Sequence, residues 1–327
     1  MPTFQSPVDS ATLFYRYYVP STSSPHKPAP DTPHRQPLTL VLLHGWPMSS
    51  RMFDSLIVPL VETYRFPAIA PDRRGFGNSR DWSNPPTPGE VTFDTFVADL
   101  SHLLNSIKIG PFVFVAASMG APESLLAYQH GLDPETRINC RGFVWVGPNM
   151  PYSIRCEESP GGPDPAIWDF LVDGFRSNKG KEFIHEQIPS VFRADLNPDR
   201  IGEKTLQFFE RIVGKADPIA LERCAIICQK PMEGELRTWV QAECKKEGGQ
   251  RLPVLIIHGD ADTGIPLEGS SAVVKEIIPW SELKVYEGAG HGEFLCPGAL
   301  FRSDIPPTRQ PHAAFSFVTA EEQQKET

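Results

Sequence analysis

The sequence predicts an α/β protein, with a mainly parallel sheet flanked by helices and one helical insertion. Three observations carry this. Short, continuous apolar runs recur along the chain, and helical apolar patterns lie between them. From Pro148 to about Lys230 the alternation stops, leaving helix-like segments and no clear strand.

The elements follow in order. Residues 11–19 are rich in aromatics and read as an antiparallel strand. Pro20 to Pro37 carries prolines at 20, 25, 28, 30, 33 and 37, which makes it a loop between two strands. Leu38 to Leu43 is a continuous apolar run, the pattern of a strand buried on both faces. Similar runs stand at 68–70, 112–116, 142–146, 254–258 and 283–286. Helices are expected over Met52 to Tyr64 and Thr92 to Ile107. The second has Phe93, Phe96, Val97, Leu100, Leu103 and Leu104 at helical spacing.

The stretch from Pro148 to Lys230 carries Phe170, Phe175, Phe183, Phe192, Phe208 and Phe209, with Trp168 and Trp239 at its flanks. Placed as a cap, it covers the carboxyl ends of the strands, where open α/β sheets bind ligands. Its aromatic stripe is expected to form cap core rather than pocket wall. The expected organisation is residues 1–148 as the first part of the core, including the proline-rich loop 20–37. A cap follows over 149–230, then the second part of the core over 231–327 with an atypical C-terminal tail.

Composition narrows the function. The 327 residues are 40% hydrophobic and 22% charged, ordinary for a globular chain able to bury a large core. Lys and Arg number 31 against 40 Asp and Glu, a net charge of −9. That balance argues against nucleic acid or an anionic membrane as partner, since both need a basic footprint. A small-molecule substrate is expected instead, and the sequence carries no signal of oligomeric state. No secretory signal or long apolar span is seen, so a cytoplasmic protein is expected, with its six cysteines reduced. Cys224 and Cys228 share a helical face and read as packed thiols rather than metal ligands.

Chemistry concentrates at strand ends. The run 112–116 leads into Ala116-Ala117-Ser118-Met119-Gly120, and a helical pattern follows. Small residues two before and two after a serine, at a strand-to-helix junction, fit a nucleophile elbow, because larger side chains there collide with neighbouring backbone. Such a serine needs an imidazole to take its proton and an acid to hold that imidazole. The strand 254–258 ends in a loop carrying Asp260 and Asp262, and the next strand ends in Gly288-Ala289-Gly290-His291. Ser118, Asp262 and His291 thus stand in the order serine, acid, histidine. Asp262 is placed ahead of Asp260, which suits a backbone contact within the turn. His102, His130, His185 and His258 are assigned no role.

On these motifs the chain resembles the α/β-hydrolase superfamily. His44-Gly45-Trp46-Pro47 resembles its oxyanion loop, and Asp72 to Ser79 resembles the turn after the next strand. With the loops around Asp262 and His291, these segments are similar to the cofactor-free (non-haem) haloperoxidase, perhydrolase and aryl-esterase group. The resemblance implies an α/β-hydrolase fold and an oxyanion hole from the backbone N–H groups of Trp46 and Met119. It implies no metal or organic cofactor. It also makes His44 a loop-stabilising residue and gives Arg73 and Arg74 structural roles. Ala116 replaces the usual glycine, the segment 232–250 looks long, and the chain after His291 is proline-broken.

The expected activity is hydrolysis of an ester, lactone or thioester with an apolar or aromatic part, through an acyl-enzyme on Ser118. Met150, Tyr152 and Trp168, at the border of the insertion, are candidate substrate contacts. Peracid formation is implied by the resemblance as a side activity. The alternatives are non-hydrolytic chemistry on the same site (carbon–carbon cleavage, lyase or cyclase) and a ligand-binding protein on this scaffold.

Overall fold

In a computed structural model, residues 2–21, 37–79, 91–177, 179–199, 201–246 and 250–292 are described. Most of the proline-rich loop, Cys296 and the tail beyond residue 292 lie outside them. The described residues form one eight-stranded sheet of order β1-β2-β4-β3-β5-β6-β7-β8. Its strands are β1 (Thr3–Gln5), β2 (Thr12–Tyr18), β3 (Thr39–Leu43), β4 (Ala68–Pro71), β5 (Phe112–Ala117), β6 (Cys140–Val146), β7 (Val254–Gly259) and β8 (Glu282–Tyr286). β1 pairs antiparallel with β2, and β2 antiparallel with β4. All other pairings are parallel.

The continuous apolar runs correspond to burial on both faces: every residue of β3, β5 and β7 is buried. β8 differs, being a half-exposed edge strand with Val285 open to solvent. The helices are α1 (Asp54–Val58), α2 (Phe93–Ser106), α3 (Gly120–Leu126), α4 (Pro134–Arg137), α5 (Pro165–Arg176), α6 (Gly180–Val191), α7 (Glu203–Gly214), α8 (Pro218–Cys228), α9 (Glu233–Cys244) and α10 (Ser271–Ile277). α2 is capped by Thr92, whose hydroxyl accepts from the Asp94 N–H, and buries the apolar face its spacing predicts. The helix expected over 52–64 is α1 between a 3-10 turn (Ser50–Phe53) and a π turn (Pro59–Thr63). The change of pattern falls at Pro59, which has no N–H to donate.

Helices α5 to α9 lie between β6 and β7 in the chain. Asp164 and Asp217 cap α5 and α8, each with proline at the first helical position. α9 belongs against the sheet: Trp239 sits edge-on to Phe143 at 5.6 Å and to Trp145 at 6.3 Å. No described helix is long and apolar enough to cross a membrane.

The strand order places the site. From β3 the chain passes to β4 on one side, then returns through α2 to β5 on the other. The connections after β3 and β5 therefore leave in opposite directions and open a crevice at their carboxyl ends. Leu43 is in register with Ala116, so the oxyanion loop and the elbow start side by side.

Candidate active site

Ser118 follows β5 directly and has a backbone φ of +49°, in the left-handed region. Few non-glycine residues adopt it, and here two backbone bonds hold the turn. The Ser118 N–H donates to the Val146 carbonyl at 2.9 Å, and its carbonyl accepts from the Ala121 N–H at 2.9 Å. A Cβ on Gly120 would lie 2.7 Å from the Leu43 carbonyl oxygen, so the small residue after the serine is a steric demand of β3. Ala116 is fully buried and tolerated where the commoner motif has glycine. Gly120→Ala is expected to cost about 1–3 kcal/mol, read as a lower midpoint in chemical denaturation.

The acid and the imidazole meet at the ends of β7 and β8. His291 Nδ1 is 2.6 Å from Asp262 Oδ2. The other oxygen of Asp262 accepts from the N–H groups of Gly264 (2.9 Å) and Ile265 (2.8 Å), so the carboxylate is fixed in rotation. Burial alone would raise the Asp262 pKa, yet the His291 charge and hydrogen bonds from both His258 and His291 outweigh it and hold the carboxyl well below its usual range. For His291, burial lowers and Asp262 raises the pKa, and the net value lies above the ordinary 6.5. The His291 backbone N–H donates to the Val191 carbonyl at 2.8 Å, tying this loop to the end of α6. Asp260 accepts from the Gly288 N–H at 2.7 Å, a loop contact of the kind its turn position suggests.

Ser118 and His291 both border a cavity of about 260 Å³ beneath α5 and α6. Trp46 also borders it, and a Cβ on Gly45 would lie 3.0 Å from the Ser118 Cβ, so the oxyanion loop adjoins the serine. Among the described residues no hydrogen bond occupies the N–H of Trp46 or Met119. The Trp46 ring is held by its Nε1–H donating to the Leu221 carbonyl at 3.1 Å and by Trp168 at 5.6 Å. The described lining residues include no Lys, Arg, Asp or Glu.

The structure separates the three candidate substrate contacts. Trp168 borders the cavity, but Met150 and Tyr152 do not. Of residues 147–152, only Asn149 borders it. The chain then turns toward α9, where the Pro151 carbonyl accepts from the Met232 N–H, and Met150 is fully buried. The cap aromatics also divide differently from expectation: Phe183, Phe192 and Phe209 are cavity wall, whereas Phe175 packs on Trp46 and Phe170 is exposed.

The remaining motifs brace the site. His44 is fully buried, its Nε2 accepting from the Arg73 N–H at 2.9 Å while Nδ1 meets the Gly45 carbonyl at 2.9 Å. Arg73 pairs with buried Glu123, and Arg74 with Asp99 and Asp9. Cys224 and Cys228 are buried thiols on α8, and burial pushes Cys228 up to about 12. No group of three or more potential metal ligands is gathered among the described residues.

Sequence reasoning passed over two residues here. His258 contacts Asp262, and Asn149 borders the cavity beside Ser118, its N–H 3.3 Å from the Ser118 carbonyl. Asn149 Nδ2 donates to the Cys228 carbonyl at 3.1 Å, which leaves Oδ1 buried without a partner among the described residues. A polar residue at a strand end was the available signal for both.

An architecture with its chemistry gathered at the carboxyl ends of β5, β7 and β8 defines a class of α/β enzymes. The sequence profile of the alpha/beta hydrolase fold family matches residues 39–295, and the chain belongs to that family. It is 30% identical over 267 residues to the non-heme chloroperoxidase CPO-A1 of Kitasatospora aureofaciens, covering 79% of this chain and 86% of that protein. An uncharacterized hydrolase of Saccharomyces cerevisiae is 37% identical over 268 residues, covering 77% and 82%. Among solved structures, an esterase from Exiguobacterium antarcticum superimposes with a TM-score of 0.71 at 20% identity, covering 97% of this chain and 98% of that one. The last likeness is one of fold.

Proposed function

We propose that the protein is a serine hydrolase that cleaves an ester, lactone or thioester of a small apolar or aromatic substrate through an acyl-enzyme on Ser118. The observation that carries this is the 2.6 Å contact between Asp262 and His291, with His291 and Ser118 on the wall of one cavity. In this mechanism His291 takes the Ser118 proton as the hydroxyl attacks the carbonyl carbon. The N–H groups of Trp46 and Met119 hold the tetrahedral oxyanion, each worth on the order of 3 kcal/mol in the transition state. His291 returns the proton to the leaving group, and water repeats the cycle on the acyl-enzyme. Asp262 keeps the imidazole in the tautomer with Nε2 free and stabilises its cation.

The cavity supports the substrate class. Walls of Trp46, Trp168, Phe183, Phe192 and Phe209 without a charged side chain favour neutral, apolar groups. Hydrolysis consumes water, whereas a cyclase or lyase on the same site does not. Turnover of an ester panel in 18O-water therefore tests the proposal: one solvent oxygen should enter the carboxylate product. A product formed without solvent oxygen contradicts hydrolysis.

The protonation of His291 gives the pH dependence its sign. Only the neutral imidazole accepts the serine proton, and the folded protein holds its pKa above 6.5. The acid limb of kcat/KM is accordingly expected to have its midpoint above pH 6.5. A midpoint below that value would show that burial outweighs the Asp262 charge at His291.

A further inference from the structure

We propose that His258 is a positioning residue for Asp262, fixing the carboxylate oxygen that faces His291 and moderating its pull on the imidazole proton. The proposal rests on the serine-hydrolase reading above. His258 is the penultimate residue of β7, four residues before Asp262, and is fully buried. Its Nε2 lies between two acceptors, the Ile265 carbonyl at 2.9 Å and Asp262 Oδ2 at 3.2 Å. A ring nitrogen facing two oxygens carries the hydrogen. With Nε2 as donor, Nδ1 is left as an acceptor, and the Ser271 hydroxyl at 2.6 Å donates to it. Ser271, the first residue of α10, thereby selects the tautomer.

Asp262 then has every acceptor direction used. Oδ1 takes the N–H groups of Gly264 and Ile265, and Oδ2 is shared between His291 and His258. A rotation of the carboxylate loses contacts on both oxygens. The shared oxygen also has an electrostatic consequence. A neutral donor on the carboxylate stabilises its negative charge and so weakens its attraction for the His291 proton. The only charged group that the described contacts place against either histidine is Asp262. Ser271 and the Ile265 carbonyl complete the surroundings of His258, Asp260 is spent on the Gly288 N–H, and the cavity facing His291 has no Lys, Arg, Asp or Glu among its described residues.

The test needs no known substrate. The rate of fluorophosphonate labelling of the full chain is followed against pH for wild type, His258→Leu, His258→Gln and Ser271→Ala. His258→Leu should slow labelling about tenfold, the scale of a lost supporting hydrogen bond. Its acid limb should move up by about 0.5 in pH, because Oδ2 then serves His291 alone. The glutamine amide can present an N–H near the position of Nε2 and should restore the limb and most of the rate. Ser271→Ala should move the limb in the same direction by less. If His258→Leu fails to fold, Ser271→Ala and His258→Gln decide. A limb unmoved in folded His258→Leu or in Ser271→Ala, whatever the loss of thermal stability, overturns the positioning role. Wild type that takes no label would contradict the serine-hydrolase reading itself, a result distinct from labelled wild type with unmoved variants.

Discussion

Ser118→Ala is expected to lower kcat by about 10⁴- to 10⁶-fold while leaving the fold intact, with activity falling toward what binding and the oxyanion loop give unaided. The size follows from the proposed covalent step, since no other side chain stands on the elbow to receive the acyl group. Stability should change little. Among the described residues the turn is held by the backbone contacts of Ser118 to Val146 and Ala121. Circular dichroism with a thermal scan, beside turnover of a short-chain aryl ester, checks both halves. Activity within tenfold of wild type would mean that the chemistry runs elsewhere.

Asp262→Asn carries the second largest expectation, a fall in kcat of about 10⁴-fold. The amide keeps the shape of the carboxylate, and its oxygen can still accept from the Gly264 and Ile265 N–H groups. Its NH₂ would then face His291 Nδ1, which must become an acceptor, and the imidazole would turn its hydrogen toward Ser118. That is the wrong tautomer for a base. The shift of the His291 pKa should also change sign. In wild type the Asp262 charge outweighs the burial that lowers His291. Without that charge burial dominates, and the residual activity should show its acid limb below 6.5. A variant with a small loss and an unmoved limb would remove Asp262 from the proposed set.

Much of this arrangement was legible in the sequence because buried parallel strands leave a local trace. β3, β5 and β7 are buried along their whole length and appear as unbroken apolar runs. Ser118 was legible for a related reason: the crowding that demands glycine at 120 writes a short pattern around the serine. β1 was not, since three residues, Thr3 to Gln5, carry no periodicity. Contacts set by the path of the chain were also beyond reach. Met150 and Tyr152 follow Asn149 directly, yet the turn toward α9 takes them out of the cavity. Phe183 on α6, Phe192 just after it and Phe209 on α7 line the cavity together because α6 and α7 pack on one another, which spacing along one helix does not reveal. His258 reads as the last residue of a strand until the loop folds Asp262 and Ile265 back over its Nε2.

The proposed mechanism requires an activated serine at 118 served by His291. Intact-mass measurement after exposure to a fluorophosphonate tests it most directly, on wild type, Ser118→Ala and His291→Ala. A single adduct on wild type, mapped to Ser118, and none on either variant is the expected result. An adduct that persists in Ser118→Ala, or folded wild type that takes none, would contradict it.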